Sequence, residues 1–185
     1  MSFVKYVYNG LFRDSVVAMK HTISVLVENK FGVLARIAGL FSARGYNISS
    51  LAVSETQNPS VSCMTIVVDT DDEKILEQIK KQLNRLIDVL IVADFTKKEH
   101  VERELVLVKV SCPAKVKARL EDILNKFQAK LIRRKEDIAI IEFTAGQQDI
   151  KELLGELNNF GIKELVRTGK IAIGVTTETR NSVIP

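Results

Sequence analysis

Hydrophobic and polar positions along this chain fall into alternating and helical stretches that follow one another in a fixed order, twice. Over 20–27, Ile23, Val25 and Val27 alternate with Thr22 and Ser24, the period of two of a half-buried strand. Val33, Leu34, Ile37, Leu40 and Phe41 then recur at helical spacing. They predict a helix over 32–44 that ends at Arg44-Gly45, where glycine suits a left-handed cap. Strands over 46–55 and 61–69 are joined by Thr56-Gln57-Asn58-Pro59-Ser60, a run of turn formers that makes them a hairpin. A helix over 71–83 carries Asp71, Asp72 and Glu73 in its first turn, where carboxylates suit the helix dipole, and Ile75, Leu76, Ile79 and Leu83 on one face. A strand over 87–95 completes the order βαββαβ.

The second half repeats that order. A strand over 104–111 precedes a helix over 114–127 with Val116, Leu120, Ile123, Leu124 and Phe127 inward. Paired strands over 129–134 and 138–144, a helix over 147–158, and strand material over 162–175 interrupted at Thr168-Gly169 follow. The predicted architecture is therefore α+β: two tandem ferredoxin-like βαββαβ domains, 19–96 and 104–178, with a charged linker over 97–103 and a tail over 179–185. Residues 1–18 lie outside the pattern. They are too short and too broken by Lys5, Asn9, Gly10 and Arg13 for a signal peptide, and read as an upstream extension or a peripheral arm. Two helices cover one face of a four-stranded sheet, yet Met64 to Val68 and Val89 to Val92 are apolar at consecutive positions. An apolar second face and free strand edges predict association with another copy, a homodimer at least.

Composition narrows the function classes. The 185 residues are 46% hydrophobic, which argues for a folded chain, and no apolar run approaches the ~18 residues of a membrane span. Cys63 and Cys112 are isolated thiols without CxxC spacing, which fits a reducing cytoplasm. The net charge of +4 comes from 27 basic residues interspersed with 23 acidic ones, so it describes a solvated surface. The densest basic run, Arg133-Arg134-Lys135, is followed at once by Glu136 and Asp137, and no aromatics are set to stack bases, which argues against nucleic acid.

Catalytic chemistry is hard to assemble from this inventory. His21 and His100 are the only histidines, with no HxH, HExxH or Cys/His cluster for a metal. GxSxG and GxxxxGK[ST] are absent, and the acidic residues sit mainly in helix first turns and linkers. The chain reads as non-catalytic. What remains is the loop Glu28-Asn29-Lys30-Phe31-Gly32-Val33-Leu34, which runs straight from a strand to a helix N-terminus. The amides there lack intrahelical acceptors and Gly32 lacks a Cβ, so the loop is either an anion site or a capped turn in which Asn29 and Gly32 serve geometry alone.

The run ENKFGVLARIAGLFSARGYNISSLAVSET, followed by MTIVVD, LEQIKKQLNRLIDV and ERELVLVKV, resembles the small regulatory subunit of acetolactate synthase (acetohydroxyacid synthase) over about 21–175. The first half is similar to an ACT domain, an amino-acid-binding βαββαβ module; the second half resembles the family's C-terminal domain more weakly. The resemblance implies a homodimer that binds the catalytic subunit, raises its activity and confers feedback inhibition by valine. Thiamine diphosphate, Mg and FAD would belong to that partner, leaving this chain no cofactor of its own. It also implies a valine site across the dimer interface, formed by Asn29, Phe31, Gly32, Val33 and Leu34 of one copy with Asn47 and Ile48 of its mate. The second repeat has Ser111-Cys112-Pro113-Ala114 where the first has Asn29 to Gly32, and no second amino-acid site is expected there. An ACT-type transcription regulator and an RNA-binding ferredoxin-like domain are the alternatives. A missing DNA-binding helix pair or ribbon weighs against the first, and missing exposed aromatics against the second.

Overall fold

A computed structural model describes residues 19–70 and 72–175. Residues 1–18, read as an extension or arm, Asp71 of the predicted helix start, and 176–185, with the predicted tail, lie outside the described residues. Strand β1 (Lys20–Glu28), helix α1 (Val33–Ser42), strands β2 (Ile48–Glu55) and β3 (Val61–Asp69), helix α2 (Glu73–Leu83) and strand β4 (Val89–Asp94) form the first βαββαβ set. Its antiparallel sheet has the order β2-β3-β1-β4. Each helix therefore connects two strands that flank a third, the interleaved arrangement of a ferredoxin-like unit.

The sheet's alternation decides what packs beneath the helices. Ile23, Val25 and Val27 of β1 and Met64, Ile66 and Val68 of β3 face Val33, Ile37 and Phe41 of α1 and Leu76, Ile79 and Leu83 of α2, forming one closed cluster. Helix α2 starts where Asp72, in an extended conformation, accepts the Lys74 amide at 2.8 Å. Helix α1 has no such side-chain cap; Gly32 stands at its start with φ +82°.

The second set runs β5 (His100–Ser111), a single 3-10 turn (Ala114–Val116), α3 (Lys117–Phe127), β6 (Lys130–Lys135), β7 (Ile138–Ala145), α4 (Gln147–Asn158) and β8 (Ile162–Arg167), with sheet order β6-β7-β5-β8. Its core joins Val106, Val108 and Val110 to Ile141, Leu120, Ile150, Leu153 and Leu157. The loop of this half that corresponds to Asn29–Gly32 has a different start to its helix. Cys112 is buried, its amide donates to Asp137 O at 2.7 Å, and Pro113 caps the 3-10 turn.

Two boundaries differ from the sequence expectation. Residues 100–103, read as linker, are already strand, because β5 begins at His100. The strand material over 162–175 divides at Gly169, whose φ is +83°, into β8 and a short β9 (Ile171–Gly174) that pairs with β5. The compact units accordingly comprise 19–102 with 169–175, and 103–168.

The returning segment alters the reading of the first sheet's second face. Thr22, Ser24, Leu26, Thr65 and Val67 on that face are buried. Strand β9 passes within 8 Å, Cα to Cα, of β1, whose two edges are occupied by β3 and β4, so it crosses the face rather than extending the sheet. Gly169 sits where a Cβ would lie 2.8 Å from Ser50 Oγ and 3.3 Å from Leu51 O, and the Lys170 amide donates to Ser50 Oγ at 2.9 Å. The chain itself thus contributes cover that the sequence alone assigns to a partner. Among the described residues, no strand pairs with the outer edge of β2.

Candidate functional site

The loop after β1 is held open by bonds to both of its neighbours. Asn29 donates its side-chain amide to Pro59 O at 2.8 Å and to Glu55 Oε1 at 3.1 Å, and its backbone amide to Ser60 O at 2.8 Å. Its Oδ1 has no hydrogen-bond donor among the described residues. On the other side the Glu28 amide donates to Asp88 O at 2.9 Å, made possible by a bulge between Leu26 and Val27 in the pairing with β4. Lys30 pairs with Glu28 at 2.9 Å; that hydrogen bond, and then the carboxylate's charge, raise the Lys30 pKa.

Positive φ at Gly32 turns the chain into α1, and the first helical bond is Arg36 N to Gly32 O at 2.9 Å. The Val33 amide is taken by Lys30 O at 3.3 Å. The amides of Gly32 and Leu34 have no acceptor among the described residues, and they carry the positive end of the helix dipole. The end of the unit therefore offers two amide donors and one carbonyl acceptor a few residues apart, complementary to a carboxylate and an ammonium.

The sequence-predicted residues divide between two places. Phe31 is fully exposed, at 102%, and Leu34 is 44% exposed, while Val33 is turned into the core at 3%. Asn29 is exposed beside them. Asn47 is also exposed and Ile48 half-buried, but they stand at the far end of the sheet, where Ile48 pairs with Val68, which pairs with His21. Seven strand positions separate that level from Glu28, roughly 20–25 Å. One copy of the chain does not bring the two groups together.

Arg36 and Asp88 also belong to this loop's surroundings, and the sequence pattern singles out neither. The signal that could have found Arg36 is its place one turn after Gly32, on the same face of the helix. Asp88 carries no local signal, being 52 positions from Arg36. Among the described residues no group of three or more His, Cys, Asp or Glu is arranged for a metal, and no helix is long and apolar enough to cross a membrane.

A ferredoxin-like unit with a glycine loop between its first strand and helix defines an ACT-type domain, and residues 23–91 match the family described as AHAS small subunit-like ACT domain. Residues 103–176 match the small subunit of acetolactate synthase. A relative from Archaeoglobus fulgidus, named a probable acetolactate synthase small subunit, is 47% identical over 155 residues, 84% of this chain and 96% of the relative. The acetolactate synthase small subunit of Aquifex aeolicus is 46% identical over 155 residues, 83% and 80% of the two chains. The crystal structure of the Thermotoga maritima small subunit superposes with a TM-score of 0.76 at 35% identity, covering 84% of this chain and 97% of that one. The chain belongs to the acetolactate synthase small-subunit family.

Proposed function

We propose that this chain is the regulatory subunit that binds the thiamine-diphosphate-dependent catalytic subunit of acetolactate synthase, activates it, and makes it sensitive to valine. The carrying observation is the Asn29–Leu34 loop, where the amides of Gly32 and Leu34 and the side-chain carbonyl of Asn29 have no hydrogen-bond partner among the described residues. A zwitterion of valine's size satisfies both ends of that arrangement, and Phe31 and Leu34 supply apolar surface for an aliphatic side chain.

The edge strand β2 supports a site shared between copies. Two β2 strands paired antiparallel about a two-fold axis set the start of one against the end of the other. The end of β2 is Glu55, to which Asn29 is bonded. Asn47 and Ile48 of the mate then arrive at the loop, and valine binds the paired state better than the separated one. Such a difference in affinity, typically ~1–3 kcal/mol, is what a feedback signal requires.

The decisive experiment mixes this chain with an acetolactate synthase catalytic subunit and assays turnover with and without valine. Stimulation that valine reverses is expected. No stimulation and no valine effect overturn the proposal.

A further inference from the structure

Two cations stand at the loop, and they are held differently. Lys30 pairs on the surface with Glu28, and the lysine side chain is 65% exposed. Arg36 reaches inward. Helical side chains lean toward the N-terminus, so the residue one turn after Gly32 lies over it. Its Nη1 is 3.3 Å from the position a Cβ on Gly32 would take. The space that glycine leaves open at this turn is thus faced by a guanidinium.

That guanidinium is aimed by a buried carboxylate. Nε donates to Asp88 Oδ2 at 2.8 Å, and Nη2 stands 2.7 Å from the same oxygen as an ion pair. The Asp88 side chain is 10% exposed, and its carbonyl is the one that binds the Glu28 amide. One edge of the fork is therefore fixed, while Nη1, on the other, has no acceptor among the described residues. A half-exposed arginine would otherwise sample many rotamers; pinned at one edge, it presents a donor in one direction at little further entropic cost.

We infer that Arg36 is a carboxylate-recognising residue of the amino-acid site, its Nη1 donating to the ligand's carboxylate alongside the amides of Gly32 and Leu34, and that Asp88 is a positioning residue that aims it. The inference rests on the reading that valine binds at this loop. It gives Gly32 a second role, because a Cβ there displaces the guanidinium as well as obstructing the backbone. It also makes the carboxylate, more than the side chain, the group the site discriminates, since charge-assisted hydrogen bonds to a preorganised donor are the stronger kind.

Calorimetric titration of the full-length chain with valine and with valinamide, which lacks the carboxylate, tests this. Wild type is expected to prefer valine. Arg36→Gln should weaken valine binding on the order of tenfold or more while leaving valinamide unchanged, so the preference collapses. Arg36→Lys should not restore it, because a lysine cannot hold Asp88 and reach the ligand at once; Asp88→Asn should lower the preference with Arg36 present. A preference retained in Arg36→Gln, or an equal loss for both ligands, overturns the inference while leaving the valine site standing. No valine heat in wild type removes the site itself.

Discussion

Gly32 and Gly169 carry the most specific consequences at the scale of single residues. Gly32→Asp puts a side chain and a negative charge where the proposed carboxylate binds, at φ +82° and against Arg36 Nη1. It should abolish valine inhibition at a stability cost of only about 1–2 kcal/mol, the usual strain of a left-handed residue. Paired assays of valine inhibition and urea unfolding check both halves of that expectation. Gly169→Ala differs, because its Cβ meets Ser50 Oγ at 2.8 Å and the Leu51 carbonyl at 3.3 Å as well as the φ of +83°. A loss of roughly 2–3 kcal/mol in urea unfolding is expected. Gly32 was legible in the sequence because it sits between two periodic segments, where a turn has to fall. Gly169 was legible only as an interruption, since the chain it touches lies about 120 positions away. Neither Arg36 nor Asp88 stood out in the sequence, and their pairing across 52 positions has no local signal.

Elements were legible wherever one face of a helix or strand is buried, because burial imposes the period. Helices α2 and α4 end at the expected residues, Leu83 and Asn158. Strand β3 is continuous in its burial, Met64 through Val68, and so has no period to show which face meets the helices. The destination of β9 was hidden, because its alternation of exposed Ile171 and Ile173 with half-buried Ala172 and Gly174 fits any half-covered strand. Strand β2 carries the element-scale prediction. Its positions are all half-buried or exposed, as suits an edge, and among the described residues only β3 pairs with it. Val53, 42% exposed, lies two positions before the end of that strand. Val53→Lys should put a charge on each pairing edge of a two-fold β2 contact without disturbing the core. Sedimentation equilibrium should then report the 20.7 kDa monomer where wild type gives twice that mass. The valine heat should fall with the dimer. A variant that remains dimeric excludes β2 as the pairing edge.

For the whole molecule, the return of residues 169–175 to the first unit makes the stability of that unit depend on a segment more than 60 positions beyond the rest of it. Lys170 fastens this segment to Glu102 at 2.6 Å, beside His100, whose ring stacks on Phe95 with centroids 5.4 Å apart. Burial pushes the Glu102 carboxyl up, but the hydrogen bond and charge of Lys170, with a further contribution from His100, outweigh it and hold the group below its ordinary value of about 4.5. Asp94 behaves alike: burial raises its pKa, while hydrogen bonds from Thr96 and then Lys80 outweigh that and lower it. A carboxyl depressed in the folded state stabilises the fold fully above its unfolded pKa, and that contribution is lost as pH falls through the folded one. The urea midpoint should therefore hold steady above about pH 5 and fall as the solution is taken below the ordinary carboxylate range. Glu102→Gln removes one titrating group, so its midpoint should be lower than wild type at neutral pH and converge on it in acid. Parallel curves that keep a constant separation at every pH would mean that the Lys170–Glu102 pair contributes nothing to holding the returning strand in place.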